Sequence, residues 1–165
     1  MANNAFYLMK VVGNRDNVEA FIRAMKWQGE YVTQGVGRVF SADVYEQEDS
    51  YAMIEGDCAW SVASAMRKKE NHNNIEELSA RLNLAVEVYC EECGFEFQEH
   101  FLVINGDVTI DECIHWEEHA VEDYDTKEEA EEELDTTFTD EEWENREAND
   151  YRICRGGFDS WDFEI

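Results

Sequence analysis

Cys90-Glu91-Glu92-Cys93-Gly94 sets two thiols three residues apart in front of a glycine, and Cys113 and His115 follow two residues apart on a later alternating segment. Two cysteines at this spacing can grip one ion, with the glycine easing the tight turn. Residues i and i+2 of a strand share a face. Cys90, Cys93, Cys113 and His115 are therefore candidate ligands of a tetrahedral structural zinc. A second reading stays open, because Cys90 continues the apolar alternation of Leu84, Val86 and Val88 and so fits a plain core thiol. A redox role for the pair is disfavoured, since acidic neighbours raise a thiol pKa and the pair does not open a helix after a strand.

The second chemistry is charge. From Glu117 to Asp150 the chain is dominated by Asp and Glu, opposed only by Lys127 and Arg146. A helix rises about 1.5 Å per residue, so acids at roughly every second position recur about every 3 Å. One DNA strand carries a phosphate about every 3.4 Å. Glu128, Glu129, Glu132, Glu133, Asp140, Glu141 and Glu144 are the candidate contacts for a basic protein surface that normally holds nucleic acid. A solvated acidic face without a partner is the competing reading.

The whole chain supports that emphasis. Its 165 residues carry a formal charge of −27, which excludes direct binding to a nucleic-acid backbone or an anionic membrane. No signal peptide and no membrane-length apolar run is visible, so a cytoplasmic protein with reduced thiols is expected. Arg67, Lys68 and Lys69 form one short basic run, read as a favourable helix C-terminus. His72 sits in a polar break and reads as exposed. No G-x-S-x-G, H-E-x-x-H, Walker or dinucleotide-binding glycine pattern occurs, so no enzyme is expected.

These groups must be positioned by strands and helices. Phe6–Val12 reads as a strand, followed by a helix with Val18, Phe21, Ile22 and Met25 on one face and ended near Gly29. Gly37–Tyr45 and Tyr51–Glu55 read as strands. Asp57 would cap a second helix bearing Ala59, Val62, Ala63 and Met66, and Ile75, Leu78 and Leu82 mark a further helical piece. Leu84–Cys90 alternates as a strand. Phe95–Ile104 and Asp107–Trp116 flank Asn105-Gly106, a strong hairpin signal. The order is β-α-β-β-α-β extended by a hairpin, an α+β fold with a ferredoxin-like antiparallel sheet. Beyond Trp116, Thr126 with Glu129 and Thr139 with Glu142 read as capping boxes of two acidic helices, with Phe138 and Trp143 as a hydrophobic staple. The large apolar residues of Tyr151–Ile165 should pack back on the sheet. The division is a core over 1–116 and an acidic and aromatic extension over 117–165.

The β-α-β-β-α-β order, Gly56-Asp57-Cys58-Ala59-Trp60-Ser61, and Glu92-Cys93-Gly94-Phe95-Glu96-Phe97 with Asn105-Gly106 resemble the YubB-like ferredoxin-like family. The likeness covers about residues 5–116. It implies a ferredoxin-like fold and a phage or mobile-element origin, and carries no catalytic residues. The expectation is a phage-type protein acting in the host cell. It would inhibit a nucleic-acid-handling defence protein (a nuclease, restriction or CRISPR component) by acidic DNA mimicry, as an anti-CRISPR protein can. The alternative is a zinc-stabilised accessory module that binds another protein.

Overall fold

Alternation builds the first strand: along Asn4–Val12 (β1), Ala5, Tyr7, Met9 and Val11 are buried while their neighbours face the other way. The computed structural model describes residues 3–26, 35–67, 73–94, 96–148 and 152–165, and of 118 and 152–156 the backbone alone. Gly29, Lys68, Lys69, His72 and Phe95, each given a place in the sequence reading, lie outside the described residues. After β1, Asn14 caps α1 (Arg15–Met25) by accepting the N–H of Asn17 at 3.0 Å. Then come β2 (Asp43–Gln47), β3 (Tyr51–Ala59), the short α2 (Val62–Ala65), α3 (Ile75–Leu82) and β4 (Ala85–Glu92). β5 (Phe97–Ile104) and β6 (Asp107–Ala120) form the next hairpin. At its turn Asn105 and Gly106 both have positive φ, and a Cβ on Gly106 would come within 2.7 Å of Ala80.

The protein is α+β, with an open antiparallel sheet in the order β2-β3-β1-β4-β5-β6 and β7 (Arg152–Gly156) following on β6. Each adjacent pair of strands is antiparallel. β6 serves two partners: its first part pairs with β5 through His115, and Trp116–Ala120 pair with β7. It thus runs past the change of composition after Trp116. A 3₁₀ turn (Val121–Asp123), α4 (Lys127–Leu134) and α5 (Asp140–Glu144) lie between β6 and β7.

Two local expectations are corrected. The strand expected over Gly37–Tyr45 begins only at Asp43, because residues 37–42 cross over as a loop with one bridge, Val39 to Cys58. Asp57 does not cap a helix. It lies inside β3, where Ser41 Oγ accepts its N–H at 2.9 Å and its carbonyl accepts the N–H of Phe40 at 2.8 Å. The residues from Gly56 to Ala59 pair with β1 over Asn4–Tyr7. The chain turns instead at Trp60, with φ 71°, and Ser61 caps α2.

The main core lies between the helices and one sheet face. Val18, Phe21 and Met25 of α1, Val62 and Ala65 of α2, and Ile75 and Leu78 of α3 meet Tyr7, Met9, Ile54, Val88 and Phe101. A second, smaller core holds Val121, Ala130, Leu134 and Phe138, flanked by Tyr124 and Trp143. No helix among the described residues is long and apolar enough to cross a membrane.

Candidate functional site

The acidic segment is a built unit. Thr126 caps α4 by accepting the N–H of Glu129 at 3.2 Å. Thr139 and Glu142 close a reciprocal capping box on α5, at 3.2 Å from Glu142 N–H to Thr139 Oγ1 and 2.8 Å from Thr139 N–H to Glu142 Oε2. These contacts hold the Glu142 carboxyl below the usual range. Phe138 and Trp143 stand 6.2 Å apart by ring centroid, as a staple requires. Glu131 accepts the N–H of Phe138 at 2.8 Å, fixing the link between the helices. Lys127 reaches Asp140 at 2.8 Å and Glu131 at 4.0 Å, and its hydrogen bond keeps the Asp140 carboxyl low.

Carboxylates therefore divide by task. Glu131, Asp140 and Glu142 tie the unit together. Glu128, Glu129, Glu132 and Glu133 are all exposed and line one shallow depression on α4, while Glu141 and Glu144 are exposed on α5. Of the exposed α4 carboxylates, Glu128 and Glu129 lie in the first turn, where the dipole favours them, and Glu132 and Glu133 do not help the helix. Glu128 and Glu132, and Glu129 and Glu133, are like charges one turn apart, which destabilises a helix by about 0.2–0.5 kcal/mol per pair. The last turn of α4 is acidic, with no basic residue, where the helix dipole favours cations. At Glu132 and Glu133, charge is placed against the stability of its own scaffold.

The four candidate zinc ligands are not gathered. Cys90 is buried on the helix-side face, and a hydrogen bond with Cys58 followed by burial pushes its thiol well up. Cys113 lies in the same row of the sheet, but Glu99 of β5 stands between them, so their backbones are two strand spacings apart, roughly 9–10 Å. Cys93 has left the strand and is exposed, its thiol donating to Glu91 Oε1 at 3.6 Å. His115 packs edge-on to Phe97, with centroids 6.3 Å apart. Among the described residues no group of three or more His, Cys, Asp or Glu could hold a metal ion.

No family model, curated protein or solved structure matches this chain.

Sequence reasoning missed the burial of three carboxylates, Glu92 at the end of β4 and two on opposite faces of the sheet. Glu99, on the helix side, accepts the N–H of Val62 at 2.6 Å and of Ala63 at 3.4 Å, covering the start of α2. Burial pushes its carboxyl up, against the pull of those N–H groups and of Arg67. Arg67 itself pairs with Asp111 at 2.6 Å and Glu76 at 3.0 Å and lies 3.9 Å over the Phe101 ring. Glu87, on the opposite face, is fully buried beside His100, with Nε2 to Oε1 at 2.8 Å. Glu99 and Glu87 occupy positions that alternation alone assigns either to an apolar core or to solvent. The one sequence signal for a covered second face was the run of large apolar residues in the last fifteen positions.

Proposed function

We propose that this protein is a non-enzymatic inhibitor that presents the exposed carboxylates of α4 and α5 to a basic, nucleic-acid-binding surface of a host protein. The observation that carries the reading is the α4 face. Glu128, Glu129, Glu132 and Glu133 are exposed together on a capped helix, where the i,i+4 repulsion of Glu132 and Glu133 with the first-turn acids is not relieved by any basic residue in the last turn. A solvated face needs no such order, whereas a mimic of a phosphate strand needs charges held at fixed spacing. A net charge of −27 adds long-range steering toward a basic partner. The strand order β2-β3-β1-β4 supports a ferredoxin-like reading of the first four strands, while the phage or mobile-element setting rests on the residue resemblance to the YubB-like family. Host defence proteins with nucleic-acid channels are then the class of target.

The test is capture from bacterial lysate with the full chain as bait, eluted by stepwise salt or by duplex DNA. Nucleic-acid-binding proteins should elute with either. Replacing Glu128, Glu129, Glu132 and Glu133 by Lys should abolish capture while the sheet stays folded by circular dichroism. Undiminished capture by the folded variant, or capture indifferent to both DNA and salt, would refute the mimic.

A further inference from the structure

The sheet has a second face that the acidic unit does not use. On it, Tyr89 of β4 stacks on His100 of β5 with centroids 4.1 Å apart and interplanar angle 7°. Residues 157–165, outside any helix or strand, lie across this face. Trp161 stacks on Tyr89 at 5.7 Å and on Phe6 at 6.2 Å, Phe163 meets Tyr89 edge-on at 5.5 Å, and Phe158 meets both Tyr89 and His100 edge-on at 5.8 Å.

Among the described residues, the hydrogen bonds across this interface take backbone atoms from the segment. Glu87 Oε2 accepts the N–H of Glu164 at 2.8 Å and of Ile165 at 3.2 Å. Gln98 Oε1 accepts the N–H of Phe158 at 2.7 Å, and the Tyr89 hydroxyl donates to the carbonyl of Asp162 at 3.0 Å. A fully buried carboxylate is costly unless donors satisfy it. Two N–H groups from this segment reach Glu87 Oε2, while His100 Nε2 lies 2.8 Å from Oε1. The sheet side is a groove in which Glu87 Oε1 faces His100 and Oε2 is satisfied by the peptide backbone above it.

The segment is less deeply held than the groove. Glu87, Tyr89 and His100 are buried, whereas Phe158, Trp161, Phe163 and Ile165 are each only half-buried. It leaves β7 through Gly157, at φ 83°, where a Cβ would come within 2.8 Å of Gln98. Apolar side chains that are each partly exposed, on a segment outside any strand, fit a unit that opens below the global unfolding energy.

We propose that the Phe6–Tyr89–His100 face, with Glu87 as its catch, is a binding groove for an aromatic peptide segment, and that residues 157–165 are its internal ligand. Backbone bonds give the groove its affinity for a peptide main chain, and the ring surfaces select aromatic side chains spaced as Phe158, Trp161 and Phe163 are. A partner segment of that chemistry gains the groove when the strap lifts. In the closed chain the strap competes at an effective concentration in the millimolar range.

The probe is a fluorescein-labelled peptide with the sequence of residues 157–165, titrated by anisotropy into the full chain. Trp161→Ala with Phe163→Ala loosens the strap and leaves the groove intact, so this variant should bind the peptide about tenfold or more tightly than the wild type. Adding Glu87→Ala should remove that gain. Hydrogen exchange on the wild type supplies an arm that needs no variant: the amides of Phe158, Glu164 and Ile165 should exchange faster than those of β1 and β4. Equal peptide binding by the strap variant and the wild type overturns the proposal, as does a gain that survives Glu87→Ala. Strap amides that exchange only with the core strands overturn it as well.

Discussion

Glu99 ties the start of α2 to the middle of the sheet, and burial sets its carboxyl above the ordinary glutamate range. The folded chain therefore holds this proton more tightly than the unfolded chain does. The contribution to stability is fully present below the unfolded value, about 4.3, and is lost as pH rises through the raised folded value. Glu99→Gln keeps an acceptor for Val62 and removes the ionisation. Urea unfolding between about pH 4 and pH 7 should show the wild type losing stability relative to Glu99→Gln as pH increases. A pH-independent difference would mean that Glu99 ionises as readily folded as unfolded. Residues of this kind were the least legible in the sequence. Glu87 follows Val86 and precedes Val88, and a strand with one wet face accounts for that pattern completely. Its burial comes from residues 77 and 78 positions away in the chain, a distance over which periodicity carries no signal.

Elements were more legible where their signals are local. The Asn105-Gly106 turn, the Thr139–Glu142 box and the Phe138–Trp143 contact each need only a few neighbouring residues, and each is present. The end of β3 was not legible, because Ala59, Val62, Ala63 and Met66 fit a helical stripe until the pairing of Cys58 and Ala59 with β1 is known. The carboxylates of α4 were legible as a charged run, while the roles of Glu131 and Asp140 in holding the unit depend on contacts with Phe138 and Lys127. The unit they belong to has four buried apolar residues of its own. Leu134→Ala removes one of them at a cost of about 2–5 kcal/mol, a large share of what so small a core supplies. Hydrogen exchange should show protection lost across α4 and α5 with β1 and β4 unaffected. Uniform loss through the whole chain would instead make the unit one cooperative body with the sheet.

At the scale of the molecule, a charge of −27 acts on every equilibrium at once. Like charges crowded by folding repel, and salt screens them over about 10 Å at 0.1 M. The melting temperature should therefore rise as sodium chloride is raised from about 20 to 500 mM, measured by calorimetry on the isolated protein. Capture of a basic partner should weaken over the same range. A melting temperature that falls with salt would show that attractive pairs, such as Arg67 with Asp111 or Lys127 with Asp140, outweigh the repulsion.

The double pairing of β6 sets a phase for the molecule. One continuous strand is shared by the sheet and by the ladder that frames the acidic helices, and strand side chains alternate with a period of two. The parity of the residue count between Trp116 and Ala120 thus works like the tooth count between two meshed gears. Loss of one residue there turns every later position on β6 to the opposite side, whereas loss of two restores the original sense. A length change of one in this stretch therefore needs a bulge to absorb it, of the kind β6 already carries where Leu102 pairs with Ile110 and Val103 with Val108.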